Sequence, residues 1–256
     1  MAHKVTKVLT IEEAKVKVDK LVTEFQHGDI GLTVNEVIKA GSLGHGTAVP
    51  GKFDLDLVIY SSVNFYYYGI EVDLLVSPNW PNLDALWTFL QDVDREHLFD
   101  FSVNASKWQV QFFSEVPSQA KEFIKRAKAW RNKTWSHSNV GKPTSYLISL
   151  LVLKAYENAR GRGVSTSSTS LIARETKVEL KKIVRDHTTV NMHWKRYYTY
   201  SVSTLYPRLY IPSEREPRIL DPANPTNNVY KTGINGNWTQ LVTNIDTIDL
   251  TKAVEY

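Results

Sequence analysis

With 256 residues, 42% of them apolar, the chain is long enough to bury a sizeable core and suits one large domain or two lobes. A formal charge of +4, from 31 basic and 27 acidic side chains, gives little support to nucleic acid as a partner, and the lack of cysteine excludes disulfides, thiol catalysis and cysteine-ligated zinc. The first residues carry charges throughout with no apolar block of signal-peptide length, and the most apolar later run, 146–156, is interrupted by Ser149 and Lys154; a soluble, cytoplasmic protein with no membrane partner is expected.

Taken in chain order, Thr10 and Glu13 make a capping box, and Ile11, Ala14, Val18, Leu21, Val22 and Phe25 recur at helical spacing until His27-Gly28-Asp29 ends the run. Residues 32–40 read as a strand leading into Gly41-Ser42. Residues 53–60 alternate so that Asp54 and Asp56 share a face with Val58, and 65–76 forms a further strand that ends before Ser77-Pro78. Beyond Pro78 the pattern changes to helix-like segments near 82–99, 116–133, 144–160 and 170–186, followed by an aromatic, proline-punctuated tail. The shift predicts an α+β protein with a sheet-bearing lobe over residues 1–80 and a mainly helical lobe over 81–256; "RGRGVSTSSTS", from Arg160 to Ser170, is the clearest flexible loop.

Carboxylates two residues apart on a strand project from one face, and a third on a neighbouring strand would complete a pocket for divalent cations. Asp73 is that third residue. If 53–60 and 65–76 pair as a hairpin turning near Asn64, Asp73 falls on the face of the other two in either of the two registers that place Asp54 or Asp56 opposite it. Three clustered carboxylates without a cation would raise one another's pKa, a conflict that a pair of bound Mg²⁺ ions removes. Glu71, on the same face, either extends the cluster or is a solvated edge charge. Ahead of the strand, Gly41-Ser42, with Gly44 and Gly46 behind it, gives the backbone freedom to approach a triphosphate and supplies hydroxyl and amide donors. In the helical part, Lys121, Lys125, Lys128 and Asn132 make one stripe in "KEFIKRAKAWRNKTW", either an exposed face or a phosphate-holding one. Trp130 and Trp135 read as core residues in preference to base-stacking ones.

These stretches resemble the nucleotidyltransferases of the DNA polymerase β-like superfamily and, within it, the 2′,5′-oligoadenylate synthetases. "GSLGHGT" with "GKFDLDLVIY" is similar to the synthetase Gly-Ser loop and paired catalytic aspartates, and "IEVDLLVSP" to the strand bearing the third. "IKRAKAW" with "KPTSYLISLLVLKAYE" resembles the helices that bind donor triphosphate and acceptor nucleotide, "HWKRYYTY" the aromatic segment that follows, and "PRILDPANPTNNV" the C-terminal Leu-Asp-Pro-x-x-Pro-Thr signature. The matches run in family order from about residue 30 to 230 and look closest to short invertebrate, sponge-type members.

The resemblance implies a two-lobed enzyme with a polymerase β-like core that joins ATP into short 2′-5′-linked oligoadenylates and releases pyrophosphate. Asp54, Asp56 and Asp73 would bind magnesium. Gly41, Ser42 and Lys128 would hold the donor triphosphate, Lys125 stands where the family usually has an arginine near the nucleotides, and Tyr146 matches a tyrosine beside the acceptor base. Double-stranded RNA is a partner that the resemblance admits but the chemistry does not require. The chain departs from the family in a short Asp56–Asp73 interval, in His45 where the loop usually has lysine, and in Ser145 where a glutamine is associated with the acceptor. Alternatives are a cyclic GMP-AMP synthase-like enzyme on the same core, a catalytically degenerate double-stranded RNA sensor, and a template-independent polymerase acting on RNA ends.

Overall fold

A computed structural model describes residues 10–27, 37–49, 55–59, 63–67, 70–78, 80–93, 95–192, 194, 217–234 and 238–252, although not the side chain of every one of them. By compactness the chain divides into two units, 1–115 and 116–256. The change in composition falls earlier, near residue 80, and the helices between these points group with the first unit.

In the first unit, α1 (Ile11–His27) starts where the capping box predicts. The Thr10 amide donates to Glu13 Oε2 at 2.9 Å, and the Glu13 amide donates to Thr10 Oγ1 at 3.2 Å. Its Ala14, Val18, Leu21 and Val22 are buried while Val16, on the opposite side, is exposed. Asp19 accepts from Lys39 of β1 (Ile38–Lys39), which joins α1 to the sheet.

β1 leads into one short helical turn, α2 (Gly41–Gly44), and then β2 (Leu55–Ile59), β3 (Val63–Tyr67) and β4 (Ile70–Val76) complete a four-stranded sheet of order β1-β2-β4-β3. β4 lies between β2 and β3, parallel to β2 and antiparallel to β3. Two expectations change here. The segment read as one strand over 65–76 is a hairpin of two, with the turn-favouring Gly69 between them in sequence. The partner of β2 is its second strand, in parallel and not in a hairpin around Asn64. A period-two pattern is identical for both directions, so only the topology separates them. Leu57 and Val58, on opposite faces of β2, are both buried, as expected for a central strand covered on two sides.

The predicted helix over 82–99 resolves into α3 (Leu83–Gln91), capped by Asn82 Oδ1 accepting from the Ala85 amide at 2.8 Å, and a run of 3₁₀ turns over Arg95–Ala105. α4 (Ser106–Ser114) closes the unit, with Phe112 and Phe113 buried.

The second unit is built on three long helices, α5 (Ser118–Thr134), α6 (Ser145–Gly161) and α7 (Thr169–Arg185). Their starts follow from local chemistry: Pro117 precedes α5, Thr144 Oγ1 accepts from the Leu147 amide, and Ser168 Oγ from the Leu171 amide. α6 is apolar around most of its circumference and packs between α5 and α7. On α5, Trp130 donates to Thr247 Oγ1 at 2.8 Å and meets the buried Trp135 edge-on, so both tryptophans serve packing.

The Leu-Asp-Pro signature follows a short parallel pair, β5 (Asn191–Met192) with β6 (Arg218–Ile219). Asp221 is fully buried; its Oδ1 accepts from the amides of Ala223 and Asn224 at 2.8 and 3.0 Å. Asn228 Oδ1 accepts from the Ile219 amide at 3.0 Å and from the Tyr230 amide at 3.2 Å, the latter opening α8 (Val229–Thr232). α9 (Trp238–Asn244) and the residues after it then return to α5 and α7. Among the described residues no helix is long and apolar enough to cross a membrane.

Candidate active site

The first unit carries the acidic row and the Gly-Ser loop. Asp56 of β2 and Asp73 of β4 occupy paired positions on adjacent parallel strands, and Asn64 of β3 pairs with Asp73 on its other side. Residues at one register position belong to one face of a pleated sheet, so the backbone sets these three in a line across it. Adjacent strands lie about 4.8 Å apart, a spacing at which two carboxylates can share cations. Asp54 lies outside the described residues, as do the side chains of Asp56 and Asp73. Among the described side chains, which do not include these aspartates, no group of three acidic, histidine or cysteine residues is placed to hold a metal ion.

Gly41 has φ 63° and Gly46 φ 67°, the left-handed region that glycine enters without a Cβ penalty, and between them α2 packs against β1 and β2. Ser42 is buried, and its carbonyl accepts from the Thr47 amide at 2.9 Å. Gly44 serves a different need from the one its spacing suggests. A Cβ there would stand 1.9 Å from the Lys39 carbonyl oxygen, so this glycine lets α2 lie against β1. His45, at the family's lysine position, is buried and stacked on Phe113 at 4.4 Å with ring planes 16° apart.

The second unit carries the basic stripe. It is not the uniformly exposed face that most charge stripes are: Lys128 is only 4% exposed. Lys125 is paired with Glu122 at 2.7 Å. Burial, and then the charge of Lys125 one turn away, hold the Lys121 ammonium below the usual lysine range. A polyanion laid along these lysines would offset both effects. Tyr146 is half-buried in the first turn of α6, the helix packed directly on α5.

Sequence patterns gave no sign of Arg131, which stands on α5 three residues after Lys128. Its Nε donates to the Pro143 carbonyl and its Nη1 to Asn132 Oδ1 at 2.8 Å, which ties the lysine helix to the segment that begins α6. In "KAWRNK" it is one more basic residue of a helix, and only the fold reveals what it touches.

A small mixed sheet carrying an acidic row behind a Gly-Ser turn, with a helical unit after it, is the α+β fold of the polymerase β-like nucleotidyltransferases. Two solved structures share the fold. CdnC of Escherichia coli MS115-1, determined with ATP, aligns over 91% of this chain and 82% of its own with a TM-score of 0.58 at 15% identity. The CdnC:HORMA-deltaN complex gives 0.53 over 92% and 79% at 16% identity. The family described as 2′-5′-oligoadenylate synthetase 1, domain 2, C-terminus matches residues 84–254, and the chain belongs to that family. Among relatives, 2′-5′-oligoadenylate synthase 1A of Rattus norvegicus is 23% identical across 77% of this chain and 71% of its own, and the enzyme of the same name from Mus musculus 24% across 80% and 72%.

Proposed function

We propose that the protein joins ATP molecules into 2′-5′-linked oligoadenylates. A 2′-hydroxyl oxygen of the acceptor forms a bond to the donor's α-phosphorus. The bond from that phosphorus to the β-bridging oxygen breaks, pyrophosphate leaves with the bonding pair, and the hydroxyl proton passes to solvent. The observation that carries this proposal is the pairing of Asp56 with Asp73 on adjacent strands. That arrangement suits a two-cation site, completed by Asp54, better than any other role for carboxylates repeated across a sheet. Two Mg²⁺ ions held there would make the attacking hydroxyl more acidic and stabilise the leaving pyrophosphate.

Gly41 and Ser42 would approach the donor's phosphates, and Lys125 and Lys128 would hold its triphosphate. Tyr146 would stack on the acceptor base. Membership in the oligoadenylate synthetase family favours 2′ attack. Some cations of the second unit are matched by neighbouring carboxylates, Lys181 and Arg185 by Asp246 and Arg162 by Glu175 and Glu179, although basic residues there outnumber acidic ones. The chain's formal charge is only +4 and His45 stands where the family's loop has lysine, so the dependence on a duplex-RNA activator is expected to be slight. A cytoplasmic setting accords with the absence of cysteine.

Purified, nucleic-acid-free protein incubated with ATP and Mg²⁺ provides the test. Linear oligoadenylates that resist a nuclease specific for 3′-5′ bonds are expected. Cyclic products would favour the cyclic-dinucleotide alternative, and no turnover the degenerate sensor; either outcome would overturn the assignment.

A further inference from the structure

The oligoadenylate proposal leaves open how the choice between 2′ and 3′ attack is made. Carboxylate-bound cations need only a hydroxyl in line with the α-phosphorus, so that choice falls to whatever fixes the acceptor relative to the donor. In the second unit those roles belong to Tyr146 on α6 and to Lys125 and Lys128 on α5, and one structural element joins them.

It is the peptide unit between Pro143 and Thr144, two residues before Tyr146. Its carbonyl accepts from Arg131 Nε, and its N–H donates to the Gly233 carbonyl at 2.6 Å. Both polar ends of one peptide are thus held from outside α6. The Gly233 side has no slack, because a Cβ at this residue would stand 2.5 Å from the Val229 carbonyl oxygen and 2.8 Å from Leu147 Cβ. The bridge between Pro143 and Ile234 fixes the same side. On the α5 side the hydrogen bond to this peptide comes from the Arg131 side chain, whose guanidinium is oriented by Asn132. A planar fork that donates in two directions transmits the position of α5 to this peptide in a way that the single point donor of lysine cannot.

We propose that Arg131 is a positioning residue that sets the acceptor tyrosine against the donor lysines, and so determines the fidelity of 2′ over 3′ attack. This rests on the donor and acceptor roles given above to Lys125, Lys128 and Tyr146. With Arg131→Met, the fraction of product cleaved by a nuclease specific for 3′-5′ bonds should rise about tenfold. Turnover should fall roughly 10- to 100-fold with KM for ATP nearly unchanged, the signature of misalignment without loss of binding. Arg131→Lys should fall between the two proteins. A general loss of stability would lower active concentration without moving the linkage ratio.

A folded Arg131→Met protein with wild-type linkage ratio and turnover overturns the proposal. If that variant does not fold, a wild-type ratio in Arg131→Lys or in Asn132→Ala overturns it equally. Wild-type protein that makes no oligomer from ATP would refute oligoadenylate synthesis instead. In that case amide exchange decides the anchor on its own: the Thr144 and Leu147 amides should exchange at least about tenfold faster in Arg131→Met, and unchanged protection refutes it.

Discussion

Replacing Gly44 by alanine tests whether the Gly-Ser turn is held against the sheet by backbone contact. Gly44 has no left-handed φ to preserve, so the cost is steric. The new Cβ would meet Lys39 O at 1.9 Å and Lys39 C at 2.6 Å, where ordinary contact begins at 3.4 Å. Both atoms are backbone and cannot rotate aside. Relief requires α2 to move away from β1 by more than about 1 Å, an overpacking cost of about 1–3 kcal/mol. The same movement strains the bonds from the Gly44 amide to Ala40 O and from the His45 amide to Gly41 O, each 3.1 Å. Such bonds contribute about 1 kcal/mol apiece, so a total near 3 kcal/mol or more is expected.

For a unit of the size of residues 1–115 that loss corresponds to a fall of about 12 °C in the midpoint of its transition. Scanning calorimetry is the appropriate assay, since two compact units can melt separately. Turnover should drop as well, because Ser42 moves with the turn. Gly161→Ala is the control: nothing stands within 4 Å of its added Cβ, and it should stabilise the end of α6 by about 0.5–1 kcal/mol. If Gly44→Ala melts with the wild type, α2 does not lie against Lys39 as described and the reasoning fails.

Asp221→Ala removes a fully buried acceptor from the Ala223 and Asn224 amides, and should lower stability by about 2–4 kcal/mol in urea unfolding. Asp73→Asn should abolish oligomer synthesis while leaving the melting midpoint within about 2 °C, since it alters charge without deleting volume; chromatography of the ATP products reads the first and calorimetry the second. Hydrogen bonds from Lys181 and then Arg185 hold the Asp246 carboxyl below its ordinary 3.8, so its contribution is present above that value and lost as pH falls through the folded pKa. The stability difference between wild type and Asp246→Asn should accordingly be full at about pH 6 and shrink as pH is lowered below 3.8 in acid unfolding curves. Long duplex RNA should raise the initial rate less than about tenfold in a pyrophosphate-release assay, given the modest formal charge of +4 and His45 at the loop-lysine position.

What could be read without coordinates was what is local. The capping box of α1 and the extents of α5, α6 and α7 depend on neighbours in sequence, and each begins and ends within about two residues of expectation. The Asp56–Asp73 juxtaposition was also foreseen, but through a hairpin that does not form; alternation fixes the face of a strand and is silent on its direction. The Gly-x-x-Gly spacing suggested a phosphate loop throughout, whereas Gly44 answers to Lys39, a contact that exists only once β1 and α2 are folded together. The stripe that contains the buried Lys128 could be read either as an exposed or as a phosphate-holding face, because such spacing marks a face without saying what covers it. Arg131 acts through Pro143, a partner that no pattern in the chain announces.

The parallel pairing of β2 with β4 has a consequence for how the chain can change length. The distance between Asp56 and Asp73 is set by the lateral spacing of neighbouring strands, not by the number of residues connecting them. Insertions in the connections after Ile59 and after Tyr67 would cost about 0.6 kcal/mol of loop closure per doubling of length and leave the acidic row in register. One residue added inside β2 or β4 would instead transfer every position beyond it to the opposite face and separate the pair. A short Asp56–Asp73 interval is therefore compatible with an intact row, and length variation among homologous chains should concentrate in those two connections and spare the strands.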